Sequence, residues 1–251
     1  MNRIVRIPAI LLLLTLSCCA WRWVMAQSSP MPTGESLRVY GPGGPYPAMK
    51  ECAALYSARA GIPVEVVKGQ PDLLVEAVRS DGDLFYNGAE YMMDDFLAAH
   101  PGVLDAAGVT PLFARRMGII VRAGNPKGIA VPEDLRKPGV AVLDVRLENM
   151  AGPRHDPPQG LPGVALSVVT GEQGFAAWKE RPDLDAWVTY RTWHAQLTDG
   201  SLFLPLPGAE GLRSVVAAEV IGARHPEEAR RFRDWLTSKE AHAVFVRHGF
   251  E

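Results

Sequence analysis

Cysteine is scarce in this 251-residue chain: only Cys18, Cys19 and Cys52 occur. The first two fall in an N-terminal apolar stretch that reads as removable, which leaves Cys52 alone and excludes an intrachain disulfide. Cys52 sits in Glu51-Cys-Ala-Ala-Leu55, an apolar helical run with no activating neighbour, and reads as a buried inert thiol. An excess of positive charge is lacking too. Lys and Arg number 26 against 28 Asp and Glu, a formal charge of −2. That balance excludes nucleic acid as a partner. Metal and catalytic signatures are missing. His100, His155, His194, His225, His242 and His248 fit no H-E-x-x-H or comparable spacing, and there is no G-x-S-x-G elbow and no P-loop. The chain is therefore read as a non-enzyme, with no cofactor and no metal.

Long hydrophobic runs are also lacking, apart from Ala9-Ile-Leu-Leu-Leu-Leu-Thr-Leu16, which is too short to span a bilayer. With Arg3 and Arg6 ahead of it and Val24-Met25-Ala26 behind, residues 1–26 read as a secretory signal peptide cleaved before Gln27. The expected location is the periplasm. Two other readings stay open: an uncleaved anchor helix, and a lipoprotein box at Leu16-Ser17-Cys18-Cys19. Arg3, Arg6 and Arg22 leave with the signal and no acid does, so the formal charge falls from −2 to −5. No long-range field would recruit an anion to such a chain; an anion site has to be local.

Beyond a polar, Pro/Gly-rich leader at 27–36, a βα rhythm begins. Strands are expected at Leu37–Tyr40, Val64–Val67, Asp83–Tyr86, Met117–Arg122, Val140–Leu143, Ala186–Thr189 and Arg213–Ile221. Helices are expected near 48–60, 72–79, 91–99, 171–180, 226–236 and 239–247, with a short one starting at Pro132. Residues 144–163 are irregular. Strands alternating with helices argue for an α/β fold with mainly parallel sheets flanked by helices. The two closing helices need a sheet to cover, while the middle has strands and helices of its own. The order therefore predicts two lobes: 37–117 with 222–251 as lobe 1, and 118–221, including a hinge crossing, as lobe 2. The crossings fall near 114–121 and 214–222, and a doubly crossed hinge with a cleft is a ligand trap.

Gly41-Pro-Gly-Gly-Pro45 lies between a strand and a helix, where glycines turn sharply and a helix N-terminus offers unpaired N–H groups. Tyr46 occupies the third glycine position of a dinucleotide fingerprint, so the stretch reads as an anion cradle or a plain tight turn. Asn87-Gly88-Ala89-Glu90 has the same strand-to-helix setting; an N-cap is the competing role, and Glu90 reads as an orienting residue. Tyr190-Arg191-Thr192-Trp193 follows a strand in the second lobe and offers a phenol, a guanidinium and an indole N–H. Arg146 follows the strand at 140–143, and Arg213 opens the returning strand. The expected ligand-binding set is Gly43, Gly44, Asn87, Gly88, Ala89, Arg146, Tyr190, Arg191 and Arg213. Asn125-Pro126-Lys127 is a turn first.

Four blocks carry a resemblance: Val39-Tyr-Gly-Pro-Gly-Gly-Pro45 with Ala48-Met49; Tyr86-Asn-Gly-Ala-Glu-Tyr-Met-Met93; Val121-Arg-Ala-Gly-Asn-Pro-Lys-Gly128; and Asp185-Ala-Trp-Val-Thr-Tyr190 with Trp193. They resemble the accessory colonization factor AcfC-like branch of type II periplasmic solute-binding proteins. The ending, Ala229-x-x-Phe232-x-x-Trp235-Leu236-Thr-Ser238 and then His248-Gly-Phe250, is similar to that of molybdate- and sulfate-binding proteins. The resemblance spans nearly all of residues 37–251. It implies a two-lobed type II periplasmic-binding-protein fold and a small anionic ligand, from inorganic oxyanions to small carboxylates or phosphorylated acids. It also implies delivery to the membrane permease of an ABC transporter. A surface adhesin or colonization factor on the same fold is the alternative, and a homodimer is left open. Two stretches depart from the family pattern: Asn87-Gly88-Ala89 replaces an expected Ser-Gly-Ser, and Arg146–Gly160 replaces a Gly/Gln-rich loop.

Overall fold

A computed structural model of the chain describes residues 34–148 and 161–251. The expected signal peptide, most of the leader and residues 149–160 of the irregular loop lie outside them.

The first strands and helices form because apolar runs of strand length alternate with helical ones punctuated by Gly and Pro. Strand β1 (Leu37–Gly41) is followed by α1 (Tyr46–Ala60), β2 (Val64–Lys68), α2 (Pro71–Asp81), β3 (Leu84–Asn87) and α3 (Glu90–Ala99). Pro47 and Pro71 sit in first turns, where the missing N–H costs nothing. Gly61 closes α1 at φ 70°, a left-handed cap that a side chain would strain. The long β4 (Thr110–Val121) then leads to β5 (Val142–Val145), β6 (Val164–Val168), α4 (Gly171–Glu180), β7 (Ala186–Tyr190), a one-turn α5 (Arg191–His194) and β8 (Leu202–Pro205). Strand β9 (Leu212–Glu219) returns, and α6 (Pro226–Leu236) and α7 (Lys239–Arg247) end the chain.

The strands lie in the order β2-β1-β3-β9-β4-β7-β5-β6, with β8 on the other edge of β4. β1 pairs in parallel with β2 and β3, and β5 in parallel with β6 and β7. β4 divides its partners. Thr110–Arg116 pairs antiparallel with β9, and Met117–Val121 with β7 and β8. The halves are thus not separate sheets; their hydrogen bonding is continuous through one shared strand.

Each half has its own core. Tyr40, Val78, Phe85, Met93, Phe96 and Val216 pack together in the first. In the second, Ile119, Val142 and Val188 fill one sheet face, and Ile120, Trp178, Trp187 and Trp193 the other. Helices α6 and α7 contact α1, and α6 contacts β9. Phe232 and Trp235 stack around Tyr56, and Glu51 takes both Arg247 and His248. Cys52 is fully buried, and burial pushes its thiol up to about 12, which keeps it protonated and unreactive.

Two strands lack a counterpart in the sequence pattern. β6 is largely exposed and so carries no apolar run; β8 is four residues long and ends in Pro205, which an edge position tolerates. The strand expected at Val140–Leu143 runs two residues later, at Val142–Val145, and the turn of helix at Pro132–Arg136 is 3-10. Asn125 forms its expected turn at φ 48°, its side chain bonding both N–H and C=O of Ile129.

Candidate ligand-binding site

Because β1 and β3 are parallel neighbours, the turns that follow them, Pro42–Pro45 and Gly88–Ala89, open at the same edge. In the second half β5, β6 and β7 are parallel. The segments after them, Arg146–Glu148, Thr170–Glu172 and α5, therefore also share an edge. Between these edges lies a cavity of about 330 Å³. Ligands of open α/β sheets sit beyond the carboxyl ends of the strands for this reason. Four helix starts, of α1, α2, α3 and α4, abut the cavity, each bringing first-turn N–H groups and the positive end of a helix dipole. Thr170 caps α4 by accepting from the Gln173 N–H, while the Gln173 side chain accepts from Val169 and Thr170.

The central side chain is Arg115, on β4. It is 2% exposed, yet its Nε and Nη2 have no hydrogen-bond partner among the described residues. Its guanidinium lies over the ring of Tyr190, 3.6 Å from the centroid. The glycines of both turns make room for it. A Cβ on Gly88 would come within 2.8 Å of Nη2, and one on Gly44 within 3.3 Å of Nη1. A buried unpaired cation costs on the order of several kcal/mol. An anion in the cavity would recover that cost.

Glu148 is the nearest counterweight. Thr189 donates to one carboxylate oxygen at 2.6 Å and the Trp193 indole to the other at 2.5 Å. Burial pushes Glu148 above the usual carboxylate range, while those two hydrogen bonds and the charge of Arg115 pull it back. Its backbone oxygen accepts from the Tyr91 hydroxyl at 2.6 Å, a bond from the α3 side of the cavity to the other side.

The expected site residues divide. Gly43, Gly44, Asn87, Gly88 and Arg146 line the cavity. Asn87 acts on the turn itself: its Nδ2 donates to Met92 O and its Oδ1 accepts from Gly88 N–H. Ala89 is buried at the start of α3, where its carbonyl accepts from Met93. Tyr190 is buried beneath Arg115 rather than exposed to the cavity. Arg191 is exposed and outside the lining, and Arg213, also outside it, pairs with Arg115 in strand register and donates to Leu212 O. Glu90 orients, accepting from the Ser214 N–H.

Sequence reasoning missed Arg115, Tyr91, Glu148 and the Thr170–Glu172 turn. A signal for Arg115 exists: Phe113-Ala-Arg-Arg-Met117 puts two arginines on opposite faces of a strand. Arg116 pairs with the Glu251 carboxylate at the chain end. Arg115, facing the other way, makes no ion pair among the described residues.

A mixed α/β chain whose two sheet halves share one long strand, with a cavity between the strand ends, has the fold of the type II periplasmic binding proteins. It belongs to the bacterial extracellular solute-binding protein family, whose model matches residues 37–251. That family places it in the periplasm or outside the cell, among proteins that bind small solutes for membrane transport. PEB3 bound to L-phospholactate is similar at 21% identity and a TM-score of 0.72, covering 86% of this chain and 99% of that one; a further structure of Peb3, from Campylobacter jejuni, is similar at 21% identity and a TM-score of 0.68. The sulfate-binding protein SubI of Mycobacterium tuberculosis matches at 18% identity, TM-score 0.67, with 86% of each chain covered. The periplasmic molybdate-binding protein of Azotobacter vinelandii matches at 12% identity, TM-score 0.64, covering 86% and 99%. No curated protein matches the sequence.

Proposed function

We propose that the chain is a periplasmic receptor, and not an enzyme, that closes around a small anion and hands it to the permease of an ABC transporter. The observation that carries this reading is Arg115, a buried guanidinium with two nitrogens unpartnered among the described residues, at the wall of a cavity that four helix N-termini also line. Charge-assisted hydrogen bonds to such a group are the strong kind. Residues 37–117 with 222–251, and 118–221, act as two lobes that hinge where β4 and β9 cross. The ligand meets Gly43, Gly44, Gly88 and Arg146 as well as Arg115. The solved structures named for phospholactate, sulfate and molybdate support an anion as ligand. A cavity of about 330 Å³ is several times the size of a bare tetrahedral oxyanion, which favours a small carboxylate or phosphorylated compound. Export through the signal at 1–26 and membership of the AcfC-like branch complete the reading.

A thermal-shift screen of oxyanions, dicarboxylates and phosphate esters tests it. A true ligand at one hundred times its Kd stabilises the fold by about 2.7 kcal/mol. An adhesin on the same fold would show no shift with any of them, and that result would end the receptor reading.

A further inference from the structure

An anion explains Arg115 but leaves the acidic side of the same cavity unaccounted for. The lining also carries Asp72, Asp95, Glu148 and Glu172. Three of these have a place. Both carboxylate oxygens of Glu148 accept hydrogen bonds, Asp72 faces His100 at 3.1 Å, and Asp95 is exposed on α3. Glu172 is different. It is only partly exposed, and among the described residues it makes no hydrogen bond or ion pair. Nor is it needed to cap α4, because Thr170 and Gln173 already do that. Its carboxylate reaches across the cavity to the turn after β1 and fills the space that a side chain on Gly43 would take.

The cavity is therefore bipolar: the buried guanidinium lies against Gly44 and Gly88, and an unpartnered carboxylate lies against Gly43. We propose that Glu172 is a specificity-determining residue. It selects small anions whose far end carries a hydrogen-bond donor, an ammonium foremost, and rejects those with a second acid group. The proposal rests on the anion reading above. The anionic head seats against Arg115, Gly44 and Gly88, and the ammonium pairs with Glu172 beside Gly43, where partial burial makes such a pair stronger than one at an open surface. A second carboxylate in that place would face a like charge, with Arg115 already engaged by the head group and no second buried cation in the lining among the described residues. Arg146 is exposed at the lining, and water screens it. Discrimination by a repulsive element is a common way to build specificity.

Isothermal titration of the purified chain with three esters sharing one head group tests this: ethyl phosphate, O-phosphoethanolamine and phosphoglycolate. The matching sulfonates are ethanesulfonate, taurine and sulfoacetate. In the better-bound series the ammonium compound should bind about tenfold tighter than the plain alkyl one, and the compound with the added carboxylate weaker than both. In Glu172→Gln, whose ligand-free melting temperature should match the parent, the three affinities should converge to within about threefold. If the compound with the added carboxylate binds tightest, or if the ammonium preference survives in Glu172→Gln, Glu172 does not select the ligand. Plain alkyl anions that bind in an Arg115-dependent way would still support the anion reading in that case. If none of the six binds, both readings fall.

Discussion

The guanidinium of Arg115 lies over the ring of Tyr190, its central carbon 3.6 Å from the ring centroid. Tyr190 ends a strand of the second half, while Arg115 sits in the stretch of β4 that pairs with β9. The contact holds the cation at the junction of the halves without neutralising it, because an aromatic face attracts a cation yet leaves its N–H groups free for an anion.

Arg115→Ala should abolish anion binding. Loss of one partner of a buried charge-assisted pair costs about 2–5 kcal/mol, more than tenfold in affinity. Arg191→Ala and Arg230→Ala are the controls. Arg191 is exposed outside the lining, and Arg230 is exposed on α6. Both should stay within about threefold of the parent, since exposed charges contribute little. Calorimetric titration of the three variants with one identified anion checks this, and equal losses in all three would exclude Arg115 as the anion's partner.

Tyr91→Phe removes a single hydroxyl, the one that donates to Glu148 O across the cavity. A hydrogen bond of this kind contributes about 0.5–1.5 kcal/mol. If it latches the closed form, ligand should dissociate about threefold to tenfold faster, with the association rate nearly unchanged. Stopped-flow kinetics would separate the two rates; a change in association alone would contradict a latch.

Glu148 should make the protein sensitive to pH. Burial raises its folded-state pKa, so the stability it contributes is fully present below the unfolded value of about 4.3 and is lost as pH rises through the raised value. An anion beside it raises that value further, so anion affinity should grow as pH falls. The groups around it are Arg115, Glu172, Thr189 and Trp193. In Glu148→Gln both trends should flatten, because the amide oxygen can still accept from Trp193. Urea unfolding and titration at several pH values between 4 and 8 would show it, and an unchanged slope in the variant would assign the pH dependence elsewhere.

His225 predicts a second, separate dependence. Burial works to lower its pKa, but hydrogen bonds to Glu35 and Asp83 outweigh it and hold the imidazolium above the ordinary value. Its stabilisation is fully present below about pH 6.5 and fades as pH rises through the raised value. His225→Gln should remove this loss without changing ligand affinity, since His225 lies outside the cavity lining. Thermal melts at pH 6 and pH 9 measure it; a parent protein that is no less stable at the higher pH would refute the assignment.

How far the sequence could be read follows from how local each signal is. Apolar runs of strand length between helical ones, closed by Gly61 or opened by Pro47 and Pro71, marked nearly every buried element. β6 and β8 escaped because edge strands need no apolar run. The glycine turns at 43–44 and 88 were legible as strand-to-helix turns, since their conformation is written in the residues themselves. Arg191 and Arg213 looked as suitable as Arg115, because residue type says what a side chain can bind and not which way it points.

The sequence by itself determined the α/β alternation, the small number of cysteines and the inert Cys52, the helix starts, and the glycine turns that leave room for a ligand. Only the tertiary structure decided which arginine is buried with two nitrogens left unpaired among the described residues. That depends on pairing between β4 and β9, strands about a hundred residues apart in the chain, and on Tyr190 arriving beneath Arg115 from a third strand. It also decided that the Glu172 carboxylate rests against Gly43. Such juxtapositions are set by the packing of distant elements, so no window along the chain contains them.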